Sequence, residues 1–235
     1  LIKAREAQVT VTNCVHYADK SIAEYALALL LSVQRKIPTL NQEIRKQKWS
    51  GYRCEEISGK TVGIVGFGGI GQAFAKIVKF LGADVLVWDA NPSQDLMDEL
   101  SADRVESLSE LMTRSDIVSL HLPLLDSTRE LIKLSDLNCL RSGSTIIQTA
   151  RSQIVEQVDG INALHIRASK GDIAVGIDVF DTEPMPLDDP IFSAKNAVLT
   201  PHNAFRGANA SKALILQQID CIKHYFNDNP INVMN

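Results

Sequence analysis

From residue 60 onward, short apolar runs alternate with amphipathic ones, the pattern of a parallel sheet covered by helices. It predicts strands at Thr61–Val65, Asp84–Trp88, Ile117–His121, Thr145–Thr149, Ile173–Asp178 and Ala197–Thr200. The third and fifth of these are nearly all apolar, as expected where both faces of a sheet are buried. Between the first two strands, Ile70, Ala73, Phe74, Ile77 and Leu81 recur at helical spacing. Ser107 followed by Glu110 has the spacing of a capping box and opens a short helix ahead of the third strand. Lys170-Gly171 reads as a helix stop before the fifth.

Two longer helices flank this unit. Ser21–Lys36, containing "IAEYALALLLSV", is apolar on almost every side, so it must be buried, either in this chain or against another copy of it. Asn203–Phe226 is the second, and "NDNP" stops it. The chain has neither an internal repeat nor a low-complexity segment.

Composition narrows the class. With 45% hydrophobic and 22% charged residues, the chain reads as an ordinary globular protein, although 235 residues leave the domain count open. A net charge of -4 without a basic stripe argues against nucleic acid as a partner. The longest apolar run, Ala26–Val33, falls far short of the roughly 20 residues that cross a bilayer. The N-terminus lacks the order of a signal peptide. Cys14, Cys54, Cys139 and Cys221 are widely spaced, as suits free buried thiols in a reducing, cytoplasmic compartment. The chain opens at Leu1, within "AQVTVTN", which resembles the approach to a strand, so a fragment is expected.

The stretch "TVGIVGFGGIGQ" at residues 61–72 carries the first chemistry. Gly66, Gly68 and Gly71 fit G-x-G-x-x-G, with a strand before, a helix after, and a second strand ending in Asp89, 18 residues past Gly71. Gly66 permits the tight turn, Gly68 admits a pyrophosphate and Gly71 lets helix and strand pack closely. The helix N-terminus offers unpaired N–H groups and a positive dipole. Asp89 can accept hydrogen bonds from both ribose hydroxyls and would repel a 2′-phosphate, which favours NAD over NADP.

The later strands carry the second. "QTARSQIV", "DVFDTEP" and "LTPHNA" place Arg151, Glu183 and His202 just beyond three strand ends, where ligands bind in open α/β sheets. Together they suit hydride transfer to a 2-keto acid. Arginine offers a planar fork to carboxylate and carbonyl, histidine a proton to the developing alkoxide, and a neighbouring glutamate orients the ring and favours its charged form. No H-E-x-x-H or Cys/His cluster points to a metal.

These motifs, with "SIAEYALALLL", "KWSG", "DIVSLHLPLLDST" and the ending "NPINVMN", resemble the D-2-hydroxyacid dehydrogenase family over nearly the whole chain. The resemblance implies a Rossmann-type doubly wound α/β domain that binds NAD. It assigns Arg151 to substrate orientation and Glu183 with His202 to proton transfer. Around the cofactor it places Gly66, Gly68, Gly69, Ile70, Gly71, Asp89, Leu122, Thr149, Ala150, Arg151, Asp178, His202 and Ala204, with Asp178 near the carboxamide. The implied substrate is a small 2-hydroxy or 2-keto acid, such as phosphoglycerate, glyoxylate or hydroxypyruvate.

By the same resemblance, residues 18–203 form the cofactor domain, with helix 21–36 serving a homodimer. Residues 1–17 are then a remnant of an N-terminal substrate domain otherwise absent, and 204–235 a helix that returns toward it. No regulatory domain is expected past "NPINVMN", and little activity is expected of the chain alone. The chain departs from the family at Gly69, where arginine is frequent, at Gln148 and Ser152, and at Phe205-Arg206, which narrow the floor of the site. A non-catalytic NAD(H) sensor or corepressor-like protein on the same scaffold stays open as the alternative.

Overall fold

The computed structural model describes residues 1–49 and 51–235; Ser50, in the "KWSG" motif, lies outside the described residues. The strands are β1 (Thr61–Val65), β2 (Asp84–Trp88), β3 (Asp103–Arg104), β4 (Ile117–Leu120), β5 (Thr145–Gln148), β6 (Gln157–Val158), β7 (Ile161–Asn162), β8 (Ala174–Ile177) and β9 (Ala197–Leu199). The helices are α1 (Ile2–Glu6), α2 (Asp19–Gln34), α3 (Ile37–Arg45), α4 (Gly69–Phe80), α5 (Gln94–Leu100), α6 (Leu108–Arg114), α7 (Leu134–Leu137), α8 (Ala163–Ser169) and α9 (Ala208–Phe226).

Seven strands form one parallel sheet in the order β3-β2-β1-β4-β5-β8-β9, while β6 and β7 make a separate antiparallel hairpin. The chain starts at β1, works outward to β3, then returns across β1 to β4, so a topological switch point lies between β1 and β4. Val62 pairs with Val85 of β2 on one side and with Ile117 of β4 on the other.

Side-chain alternation sorts the strands onto two faces. Val62, Ile64, Val85, Val87, Ile117 and Ile147 meet α2, α4 and α5 in one core cluster. Leu86, Val118, Leu120, Ile146, Val175 and Ile177 meet α6, α7 and α8 in the other. Each such aliphatic side chain taken from water contributes about 1.5–3 kcal/mol. Gly176 lets α2 settle on the sheet, since a Cβ there would press on Leu29 Cβ at 3.0 Å.

The greasy helix is thus buried within its own chain. Ala23, Ala26, Leu29 and Leu30 enter the core, and Tyr25, Leu27 and Leu31 pack partly buried against it. The second long helix starts at Ala208, five residues later than the pattern predicts, because residues 203–207 form a loop instead. Along α9 only Ala210 and Cys221 are buried, while Ile215, Leu216, Ile219, Ile222, Tyr225 and Phe226 lie exposed. The expected strand approach "AQVTVTN" is a single antiparallel bridge, Thr12 with Val233, flanked by Met234 N–H donating to the Val11 carbonyl at 2.9 Å. Of the four unpaired cysteines only Cys221 is buried; the others are half-buried. Among the described residues, no helix is long and apolar enough to cross a membrane.

Candidate dinucleotide and hydroxyacid site

The motif residues converge on one edge of the sheet, at the C-terminal strand ends. Gly66 turns with φ +93°, and a Cβ there would lie 2.9 Å from His121 C and Leu122 N, so the β4 end runs directly alongside. A Cβ on Gly71 would collide with the Gly66 carbonyl oxygen, whereas Gly68 faces open space. Gly68 is also the N-cap of the 12-residue α4 and supplies no side-chain cap, which leaves the first-turn N–H groups to a ligand. Ile70 lies in that first turn, half-buried. At the end of β2, Asp89 reaches back to the loop. Its Oδ2 accepts the Phe67 N–H at 2.6 Å and its Oδ1 the Asn91 N–H at 2.8 Å.

A cleft of about 270 Å³ opens further along the edge, lined in part by Thr149, Arg151, Asp178, His202, Ala204 and Phe205. Thr149 Oγ1 is buried there without a hydrogen-bond partner, a donor and acceptor left for a bound group. Gln148 shapes the turn into the cleft, accepting the Ala150 N–H at 3.1 Å and donating to the Arg151 carbonyl at 3.2 Å. Ala150 and Leu122 are buried behind the edge, and Arg151 is exposed, its Nη1 donating to the Ala150 carbonyl at 2.7 Å.

Glu183 and His202 meet as expected: His202 Nδ1 lies 2.9 Å from Oε2 and 3.1 Å from Oε1. The loop beyond β9 makes this possible by holding His202 in a left-handed conformation, φ 53°. Its backbone N–H donates to the Asp178 carbonyl at 2.8 Å. Desolvation opposes the charge on Glu183. The hydrogen bond with His202, the Phe180 N–H, and the charges of His202 and Arg151 outweigh it and hold the carboxyl below its ordinary value. Asp178 is fully buried, and both its oxygens accept from the His202 loop and from Thr200. The Phe205 ring stands edge-on to the His202 ring at 5.7 Å, with Arg206 over Phe205 at 5.6 Å. Glu183 itself borders a second, apolar groove of about 430 Å³ between Phe180, Met185, Phe192 and Pro201.

Sequence reasoning missed three features. Asn162 Nδ2 donates to Ser152 Oγ at 3.1 Å and to Asp181 Oδ2 at 3.1 Å, tying the Arg151 loop to the Glu183 loop. His121 is buried with neither ring nitrogen partnered, and burial pushes its pKa down to about 3. Asp19 and His16 crowd the glycine loop at Gly69. All three depend on residues far apart in the chain.

A glycine-cradled helix end, an acidic strand tip and a histidine–glutamate pair beyond the same sheet edge fit a nicotinamide dinucleotide enzyme, and residues 27–204 match the D-isomer specific 2-hydroxyacid dehydrogenase, NAD binding domain. The chain belongs to this family and forms its NAD-binding domain. It is 32% identical to a hydroxypyruvate reductase of Blautia hydrogenotrophica, over 99% of this chain and 73% of that one. It is 34% identical to a glyoxylate reductase of Korarchaeum cryptofilum, over 86% of this chain but only 61% of the relative's length. Among solved structures it is similar to an acyclic imino acid reductase in complex with NADPH and D-Arg, with a TM-score of 0.87, 28% identity, and coverage of 100% of this chain and 74% of that one.

Proposed function

We propose that this chain is the cofactor-binding and proton-transferring part of an NAD-dependent oxidoreductase that interconverts a 2-keto acid and a D-2-hydroxy acid. The observation that carries the reading is the His202–Glu183 contact at 2.9 Å, set at the edge that also bears Arg151 and the glycine loop. The bound nicotinamide supplies or accepts the hydride. Glu183 fixes Nδ1 of His202 and leaves Nε2 to give a proton to the carbonyl oxygen in reduction, or to take it from the hydroxyl in oxidation. Arg151 turns from the Ala150 carbonyl to grip the substrate carboxylate. Gly66, Gly68, Gly69, Ile70 and Gly71 face the pyrophosphate and Asp89 the ribose. Leu122, Thr149, Ala150, Asp178 and Ala204 border the nicotinamide half.

Glyoxylate and hydroxypyruvate are the substrates we favour, since the names of two relatives carry them. Residues 18–203 are the cofactor domain, and the exposed apolar face of α9 is where the substrate domain docks. A homodimer and a cytoplasmic location complete the reading. Because the core face of α2 is already used within the chain, the dimer draws on the α2–α3 surface, where Ile37 and Ile44 of α3 are exposed. Light scattering at increasing concentration tests it.

Titration with NADH and NADPH in parallel, followed by nicotinamide fluorescence, tests the cofactor. Saturable NADH binding that is weakened in Asp89→Ala and poorly matched by NADPH is expected. Oxidation of NADH by glyoxylate or hydroxypyruvate in a chain carrying its substrate domain, slowed on the order of 10²–10⁴-fold in His202→Asn, then tests the reaction. Phe205, edge-on to His202 within the cleft, favours one second reading, a non-catalytic NAD(H) sensor. NADH binding without turnover of any 2-keto acid, in a chain carrying its substrate domain, decides for the sensor.

A further inference from the structure

The glycine loop bears a contact that dinucleotide binding does not call for. Asp19 opens α2, and its carboxylate lies against Gly69 in the first turn of α4, so closely that a Cβ on Gly69 would collide with it. His16 holds it there. The imidazole Nδ1 meets Asp19 Oδ2 at 2.7 Å, and the same Cβ would lie 2.9 Å from that nitrogen. His16 adopts a left-handed conformation, φ 57°, which brings its ring over the start of α2. The Asp19 side chain is 25% exposed against 74% for His16, so the carboxylate sits inward, between the ring and the loop.

An anion in this position is drawn by the positive end of α4, whose first turn carries no capping side chain of its own. A pyrophosphate seeks the same helix end for the same reason. Two negative groups at one helix terminus repel, and a half-exposed site screens that repulsion only in part. We propose that Asp19, pinned by His16, acts as an internal anion at the phosphate-binding end of α4 and lowers the affinity of the chain for a dinucleotide. The same placement accounts for the bare Gly69, since a side chain there would have to displace the carboxylate. The inference rests on the dinucleotide reading of the loop.

The test is NADH titration of the unaltered chain and of Asp19→Asn, followed by nicotinamide fluorescence at low and at high salt. Asn keeps the shape and removes the charge. At low salt the variant is expected to bind NADH about three- to tenfold more tightly. The gap should close near 1 M salt, where screening shortens to about 3 Å. Asp19→Ala must move affinity in the same direction, and thermal midpoints identify any variant that fails to fold. Tighter binding that closes with salt supports the proposal. Unaltered chain that binds NADH while neither folded variant binds more tightly overturns it and leaves the loop reading intact. Absence of binding in the unaltered chain and both variants overturns the two together.

Discussion

The Thr200 hydroxyl donates to Oδ1 of Asp178 at 2.6 Å, and the loop that carries His202 hangs from this buried carboxylate. Asp178 directly follows β8 and also accepts the N–H groups of Asn203 and Ala204, each at 2.9 Å. Leucine at this position would leave those donors buried without an acceptor. Asp178→Leu is expected to lose on the order of 3–5 kcal/mol of stability, the scale for breaking a buried charged network. Asp178→Asn, which still accepts through one oxygen, should lose about 1–3 kcal/mol. Urea unfolding measures both, and an unchanged midpoint would mean that the loop is held by something else.

Glu183 holds Nδ1 of His202 at 2.9 Å, and in the proposed reaction it positions the ring without itself carrying the proton. His202→Asn removes the proposed proton carrier and should cost on the order of 10²–10⁴ in turnover. Glu183→Gln keeps the contact but not the charge, and should cost less, roughly tenfold or more. Because the carboxyl is held below its ordinary value of 4.5, the pair stays intact above that pH and is lost only as pH falls through the lowered value. The acid limb of turnover in the whole enzyme should therefore lie below that of a free carboxylate, and should disappear in the glutamine variant. An acid limb unchanged by Glu183→Gln assigns it to another group.

The sheet was legible because its rules are local. Thr61–Val65 and Asp84–Trp88 fall at the bounds their apolar runs predict, and the other predicted strands are observed one or two residues shorter. Two-residue β3 is too short for any periodicity to register. The hairpin at 157–162 carries a signal of its own: "VDGI" puts Asp159 and Gly160 at φ 51° and 78°, the conformation a two-residue hairpin turn demands. Ser107 does cap α6, accepting the Glu110 N–H at 3.1 Å, but Glu110 reaches back to the Glu106 N–H instead of completing the box. That the site's glycines and strand-end residues gather at one sheet edge was legible from spacing alone. Asn162, His121 and Asp19 were not, because each takes its role from a partner or a surrounding that only the tertiary fold supplies.

Asn162 joins two loops that spacing treats as independent. Its Nδ2 bridges Ser152, next to Arg151, and Asp181, two residues before Glu183, while its Oδ1 accepts the Leu164 N–H at 3.0 Å as the cap of α8. Asn162→Asp keeps the cap but removes the donor and sets a second carboxylate against Asp181. It should destabilise the chain by about 1–3 kcal/mol. The glycine loop does not touch Asn162, so NADH affinity should stay within twofold of the unaltered chain, an estimate of roughly 0.5 kcal/mol for uncoupled sites. A large fall in NADH affinity at unchanged stability would show that the bridge reaches the cofactor half.

His121 sets the behaviour of the fold in mild acid. The ring lies beside Phe74 of α4, centroids 5.3 Å apart, buried, with neither nitrogen hydrogen-bonded. Burial lowers its pKa from 6.5 to about 3, so the folded protein keeps the ring neutral while the unfolded chain protonates it. The sign follows: its contribution is fully present above about pH 6.5 and is lost progressively as pH falls toward 3. One extra proton taken up on unfolding gives a slope of about 1.4 kcal/mol per pH unit in that window. Denaturant unfolding at several pH values between those limits should show it, on top of whatever the carboxylates add. His121→Met keeps the volume and cannot titrate, so the difference in slope between the two proteins isolates this residue. Equal slopes would mean that the folded protein protonates His121 as readily as the unfolded chain does, by opening this packing beside the glycine loop.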